Sequence, residues 1–360
     1  MAARLRGSGS KDPTCREGFE ASANGGFEGT YEGPLDHYLG CEIKRDCANK
    51  RTIITQKHYV RHVLESEGMW DCNPKATPMV PNTRLSTDDQ PDVVDPELHK
   101  RYRGIVGKLG YIVNMTRPDL AWAYSELSKF VQRPGQAHMA AAKHVLQYLR
   151  GTYDRCLTYS KQAGLRHNTL WGWVDSDWAA DKETRRSHTG YVLMLNGGAI
   201  SWKSRRQSSV SLSTSEAEYV AASQCAQEVV YLREILRECH FEQTEPTTVY
   251  EDNRACLLMS ENPVSRERSR HIDPIQRMVA DMSRHIAIRY MFVRELVGLG
   301  VIKLVSCSTQ KMVADALTKS LPEPALTRHR AEMLGDAKAP YCAYLLTHMR
   351  PPRALNVDGG

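Results

Sequence analysis

At residue 169 the hydrophobic pattern of this chain changes period, and that change constrains the fold more than any other feature. The runs "TLWGWVDSDW", "HTGYVLMLNG" and "AISWKSRRQ" are of strand length and are joined by short turns, Asn196-Gly197 among them. Strand-like runs this close together pair as antiparallel hairpins. Residues 211–236, "SLSTSEAEYVAASQCAQEVVYLREIL", then carry apolar residues at helical spacing, and "TTVYED" follows. A strand reached through a helix pairs in parallel with the sheet it left. The order strand, strand, strand, helix, strand, helix, helix, strand, helix predicts an α/β domain over 166–322: a mixed five-stranded sheet flanked by helices.

Upstream the pattern is mainly helical. Residues 1–34 are Gly/Ser-rich without periodicity and read as a disordered leader. Two strands, "HYLGCEIKRD" and "RTIITQ", precede a helix, "KHYVRHVLESEGM", and a Pro- and Asp-rich linker. Helices are expected over 97–115, over 118–132 with Pro118 at its first position, and over 136–150. A C-terminal tail is expected over 323–360. Hydrophobic residues make up 41% of the chain, enough for a packed core, which excludes a disordered protein. No apolar run approaches the ~20 residues of a membrane helix, so no membrane partner is expected. Ten cysteines stand singly with no CxxC pair, which favours reduced thiols in an intracellular protein over zinc or disulfides. Residues 35–160 hold 18 Lys/Arg against 14 Asp/Glu, whereas 171–322 hold 19 of each. A grip on nucleic acid would therefore use the first region and local basic clusters, not a bulk field.

Four acids sit where apolar residues belong. Asp175 ends the run "LWGWV". Glu218 heads the stripe Ala222, Ala226, Val229, Leu232, Leu236, the core-facing side of its helix. Asp252 closes "TTVYE", and Asp315 lies within "KMVADALTK". Strand ends in α/β sheets open onto the ligand crevice. A pocket of like charges is unfavourable unless protonated or bridged by cations, and hard oxygen ligands without a Cys/His set suit Mg²⁺ or Mn²⁺. Each acid also has a plain alternative. Asp175 competes with Asp177 on the same strand face, Asp252 with Glu251 on the opposite face, and Asp315 with an ordinary solvated helical position. Two capping boxes overlap, Ser213-x-x-Glu216 and Ser215-x-x-Glu218; Glu216 lies on the more polar row and is assigned the cap.

The order and wording of several segments resemble the C-terminal part of the Pol polyprotein of copia-type LTR retrotransposons. "VDSDWAADKETRRSHTGYV", "GGAISWKSRRQSSVSLSTSEAEYVA", "YEDNRACLLMSENPV" and "VADALTKSLP" resemble the family's ribonuclease H domain. "YLGCEI", "ITQKHYV", "YRGIVGKLGYIVNMTRPDLAWA" and "AAKHVLQYLRGT" resemble the segment after the reverse-transcriptase palm, which makes 35–160 a partial thumb/connection region. The likeness runs over roughly 35–335. It implies an RNase H-like fold, with the acidic tetrad on Asp175, Glu218, Asp252 and Asp315 holding two divalent ions, Mg²⁺ or Mn²⁺, ~4 Å apart. The implied reaction is hydrolysis of the RNA strand of an RNA–DNA hybrid, with other parts of a Pol polyprotein as further partners. The implied location is a cytoplasmic virus-like particle or the nucleus.

Candidate phosphate grips are Arg185 and Arg186 between the first two strands, and Lys203, Arg205 and Arg206 on the third; a charged, solvated edge is the alternative for each. His271 or His285 could aid product release, although a surface helix-entry histidine is the simpler reading. The family's polymerase Asp-Asp pair has no counterpart upstream of "YLGCEI"; Asp88-Asp89 lies in a loop-like "STDDQPD". No polymerase activity is expected. "SRHI" recurs at 269–272 and 283–286, where the family carries one such segment. The extra fourteen residues fall between Asp252 and Asp315 and could displace the last acid. Two rival readings follow: a catalytically inactive hybrid-binding relic, and another RNase H-fold nuclease acting on DNA.

Overall fold

The computed structural model describes residues 35–81, 85–160, 167–181, 183–261 and 284–336. The 1–34 leader, His271 and the first copy of the repeat lie outside them. The chain begins with an antiparallel sheet. β1 (His37–Tyr38), β2 (Cys41–Asp46) and β3 (Arg51–Thr55) form a meander, and β4 (Leu157–Ser160) adds beside β3 from the far end of the segment. Between them run α1 (Lys57–Ser66), α2 (Pro96–Met115), α3 (Ala121–Ser128) and α4 (Gln136–Gly151). Asp95 caps α2 by accepting from the Glu97 and Leu98 amides, with Pro96 at the first position, where its missing N–H costs nothing. The helix expected over 118–132 is shorter. Pro118–Leu120 form a 3-10 turn, and α3 ends at Ser128, well before Pro134.

The second sheet has the order β7-β6-β5-β8-β9. β5 (Trp171–Asp177), β6 (His188–Leu195) and β7 (Gly198–Arg206) are antiparallel neighbours, as their short connections require. β8 (Thr247–Glu251) and β9 (Ile302–Ser306) extend the sheet in parallel, each entered from a helix. α5 (Thr214–Glu238), α6 (Arg254–Glu261) and α7 (Arg284–Gly298) complete the mixed α/β arrangement. Alternation along β5 divides the core. Val174 packs with Tyr191, Leu193, Ala222, Val229 and Val293 on the α5–α7 side. Trp171 and Trp173 face the other way, into one cluster with Leu109, Leu120, Leu146, Val313 and Met333.

That second cluster joins the upstream helices to the sheet. Trp202 of β7 donates from Nε1 to the Val113 carbonyl (3.1 Å), and Tyr159 of β4 donates to the Ala199 carbonyl (2.7 Å). The upstream segment therefore covers one face of the five-stranded sheet. Its exposed large apolar side chains are few among the described residues: Tyr38, Leu39, Val80 and Val93.

Residues 323–334, expected as the start of a tail, instead form α8 (Glu323–Leu334). Leu326, Arg330 and Met333 are buried at i, i+4, i+7, and Gly335 ends the helix in the left-handed region at φ +73°. A Cβ there would meet the Thr158 carbonyl at 2.0 Å, so only glycine permits the close approach to β4. Arg330 ties α8 to a buried polar network in the upstream helices. Its Nη1 donates to the Tyr148 hydroxyl (2.9 Å), which donates to Asp119 Oδ2 (2.7 Å). Arg117 grips Asp119 through Nε and Nη2 at 2.8 and 2.7 Å and donates to Thr152. The Arg117 and Asp119 side chains are 1% and 0% exposed, so each charge depends on the other for the solvation it has lost.

Candidate active site

The register of the parallel pair brings the first two acids together. Trp171 lies opposite Thr248 and Trp173 opposite Tyr250, so two residues further on Asp175 comes level with Asp252, just past the end of β8. α5 then delivers Glu218. Its start is fixed by Ser213, which accepts from the Glu216 amide (3.2 Å), while Glu216 accepts from the Leu212 amide. Glu216 is thus the capping acid, as its row suggested, although it and Ser223 are buried rather than on a wet face. Gln207 pins the helix to β6 by donating to Thr189 Oγ1 (3.1 Å) and the Ala217 carbonyl (2.9 Å). Glu218, Ala222, Ala226, Val229 and Leu236 are all buried, with Leu232 half-buried. Carboxylate oxygens of Asp175, Glu218 and Asp252 lie within 4.8 Å of one another.

Asp315 completes the group from a 3-10 turn, Val313–Leu317, pressed onto β6. Gly190, opposite Asp175, makes room for it: a Cβ there would lie 2.7 Å from Thr318 Cγ2 and 2.8 Å from Leu317 Cβ. Thr318 Oγ1 donates to Asp175 Oδ2 at 2.5 Å, and the Asp315 and Asp175 side chains are in hydrogen-bond contact. The structure thus brings all four predicted acids together, and the extra fourteen residues between Asp252 and Asp315 do not displace the last one. Gly190→Ala is expected to push the turn outward. The cost is about 1–3 kcal/mol, read in a denaturation curve, with weaker divalent-ion binding by titration. Unchanged stability and ion binding would show that the turn does not depend on this gap.

The site is short of positive charge. Burial raises the Asp175 carboxyl, with Lys319 opposing; burial, then Glu251, Asp175 and Asp252, raise Glu218 well above the usual carboxylate range. Burial, then Asp175, push Asp315 up to about 7. Glu218 Oε2 is buried without a hydrogen-bond partner, and Asp315 Oδ1 is buried with the Lys319 ammonium beside it. Carboxylate oxygens of Asp175, Glu218 and Asp252 gathered within 4.8 Å, with Glu218 Oε2 lacking a donor, suit a hard divalent cation, and these residues fit the implied metal.

Three neighbours were not among the predicted site residues, although Glu251 competed with Asp252 in the sequence. Glu251 points to the α5 side of β8, as alternation requires, but is fully buried, with Oε1 accepting from the Asn253 amide (3.0 Å) and Oε2 unpartnered. Burial raises its pKa as well. Lys319 Nζ lies 2.8 Å from Asp315 Oδ1; its opposite charge four residues after Asp315 was the available signal. Trp178, 42% exposed, bridges the end of β5 to the loop before α5 by donating to the Ser211 carbonyl (3.0 Å).

The basic residues separate. Lys203 and Arg205 lie opposite Tyr191 and Thr189, on the α5 side of β7, and Arg205 is exposed. Arg206 is on the other side, where Nη1 meets Asp181 Oδ2 at 2.6 Å, so its guanidinium is already engaged in an ion pair. Asp181 also accepts from the Glu183 and Thr184 amides, shaping the loop that carries exposed Arg185 and half-buried Arg186. Glu183 Oε1 in turn accepts from the Thr87 amide and hydroxyl, both at 2.7 Å, which docks that loop on the upstream segment. His285 lies in the first turn of α7.

A pH experiment tests the buried acids. Where a carboxyl's folded pKa exceeds its unfolded value, the native state holds the extra proton. Its stabilising contribution is present below the ordinary carboxylate range and is lost as pH rises through about 7 for Asp315. In EDTA, the melting temperature of Asp315→Asn relative to wild type is expected to climb between pH 5 and pH 8. Added Mn²⁺ should raise the wild-type value far more at pH 8 than at pH 5. A flat difference across that window would mean Asp315 titrates normally.

No protein-family model matches the chain. It is 36% identical over 293 residues to the retrovirus-related Pol polyprotein from transposon TNT 1-94 of Nicotiana tabacum, covering 81% of this chain and 21% of that protein. It is 33% identical over 306 residues to the retrovirus-related Pol polyprotein from transposon RE1 of Arabidopsis thaliana, covering 85% and 19% respectively. The chain spans about a fifth of the length of these relatives. A solved ribonuclease H, LC11-RNase H1 isolated from compost, matches 42% of this chain and 92% of its own at 12% identity and a TM-score of 0.29. At that score the superposition carries no argument, and the fold rests on the strand order above. With such identity running through four-fifths of its length, the chain belongs to the retrovirus-related Pol polyproteins of copia-type transposons.

Proposed function

We propose that the chain hydrolyses the RNA strand of RNA–DNA hybrids in a divalent-metal-dependent reaction. One observation carries this reading: Asp175, Glu218, Asp252 and Asp315, up to 140 residues apart, converge on one spot at the end of β5. Bound there, Mg²⁺ or Mn²⁺ ions would supply Lewis acidity toward the attacking water and the leaving oxygen. The chain's own residues do the positioning. Thr318 fixes one oxygen of Asp175, Thr309 Oγ1 fixes Asp252 Oδ2 at 3.0 Å, and the Gln207 bonds hold Glu218's helix in place. Water adds to phosphorus, the P–O3′ bond breaks, and the products are a 5′-phosphate and a 3′-hydroxyl; one of the water's two protons ends on O3′ and the other passes to solvent as the 5′-phosphate ionises. Selection of RNA would rest on hybrid shape and 2′-hydroxyls, with Arg185, Arg186, Lys203 and Arg205 along the phosphates.

A labelled hybrid incubated with the protein and Mg²⁺ tests this directly. Cleavage confined to the RNA strand and abolished by EDTA is expected. Hybrid binding without cleavage would favour the inactive relic, and preferential cutting of duplex DNA the DNA-nuclease reading. No deoxynucleotide incorporation on a primed template is expected either. Asp88 and Asp89 lie in a 3-10 turn (Thr87–Asp89), where Asp89 Oδ2 accepts from the Ser86 amide in a capping box. Detectable synthesis would show that a polymerase site had been missed.

A further inference from the structure

We propose that Lys319 is the resident cation of the metal-free site: its ammonium neutralises the Asp175–Asp315 half of the cluster and must be displaced before a divalent ion can bind there. The inference rests on the metal-site reading above and adds a competitor built into it. Residues 315, 318 and 319 deliver three contacts from one turn. Asp315 touches Asp175, Thr318 bonds Asp175 Oδ2 at 2.5 Å, and Lys319 Nζ sits 2.8 Å from Asp315 Oδ1. The backbone closes the turn, with the Thr318 and Lys319 amides donating to the Asp315 carbonyl at 3.2 and 3.1 Å. The ammonium therefore stands where the negative charge of Asp175 and Asp315 is concentrated, within reach of Asp177 as well.

The contact has the character of a placeholder. Lys319 Nζ reaches ion-pair distance of Asp315 Oδ1 from the solvent side. The Lys319 side chain is 41% exposed whereas that of Asp315 is 7% exposed. A flexible four-carbon stem with its tip near water can swing outward at little desolvation cost, while the carboxylate stays. A divalent ion with oxygen ligands offers the same oxygens twice the charge. Its binding is then an exchange of one cation for another, and the ammonium weakens it.

Titration calorimetry with Mn²⁺ on the full chain, without nucleic acid, tests the exchange in wild type, Lys319→Gln and Lys319→Arg. The weaker of two binding steps should tighten about tenfold in Lys319→Gln, a loss of competition between that of a surface and a buried pair. Lys319→Arg, which keeps the charge, should stay near wild type. A lysine that merely braced the turn would give the opposite result: unchanged or weaker Mn²⁺ binding in Lys319→Gln, which overturns the proposal. Should that variant not fold, the Lys319 side-chain ammonium can be followed by NMR in wild type during Mg²⁺ addition. A shift to a solvent-exchanging signal is expected, and an unmoved signal at saturating Mg²⁺ overturns it. Both measurements read ion binding and not turnover. A protein that shows the exchange but cleaves no hybrid sinks the hydrolytic reading alone, whereas one that binds no Mn²⁺ sinks both.

Discussion

Asp252→Asn is expected to lower hybrid cleavage by about a thousandfold or more while leaving the fold intact. Asp252 stands at the junction of β8 and α6, level with Asp175 in the parallel register and only partly buried, so no core packing depends on it. The amide keeps the shape and can still accept from Thr309. What it loses is the negative charge that completes a three-carboxylate cage. Removing a ligand from a catalytic metal site costs several kcal/mol of transition-state stabilisation, and each 1.4 kcal/mol is tenfold in rate. The metal-free protein should behave oppositely in stability. Glu218→Gln removes a buried carboxyl that Glu251, Asp175 and Asp252 disfavour when ionised, and its melting temperature in EDTA should rise. Full activity in Asp252→Asn would remove this residue from the site.

The largest stability effect belongs far from the acids, at Asp119. Asp119→Ala leaves the guanidinium of Arg117 buried with only Thr152 as partner and frees the Tyr148 hydroxyl that Arg330 meets. Breaking a buried ion pair from one side typically costs about 3–5 kcal/mol, because the remaining charge keeps its desolvation penalty. For a chain of this size that is a drop of about 4–7 °C in melting temperature. Replacing both charges, Arg117→Met with Asp119→Leu, should recover part of the loss, since the Arg117 charge is removed with its partner while Arg330 keeps the Tyr148 hydroxyl. If the single variant melted within a degree or two of wild type, the network would not be holding α8 to the upstream helices.

The parts of this fold that could be read from sequence are those whose signal is local. Each of the four acids interrupts an apolar run or stripe, so burial and charge disagree at that position in the sequence itself. The hairpin strands and α5 are strongly periodic, and β5 to β9 follow from their connections. What escaped depends on docking. β4 is four residues, "LTYS", too short to show alternation, and exists because β3 offers it an edge. α8 buries His329, Arg330 and Glu332 beside its apolar residues, so its inner face does not look apolar. Only the Tyr148–Asp119 network makes Arg330 a buried residue. Gly190 and Lys319 acquire meaning only once the Val313–Leu317 turn is laid on β6. Arg206 looked like its neighbours Lys203 and Arg205 until the strand's alternation turned it toward Asp181.

The most direct measurement is anomalous diffraction from a crystal of the full chain soaked in Mn²⁺. The account predicts two peaks about 4 Å apart, lying between the carboxylates of Asp175, Glu218, Asp252 and Asp315, with the Lys319 ammonium swung out. No peak there, or any one of the four carboxylates turned away from the others, would contradict it.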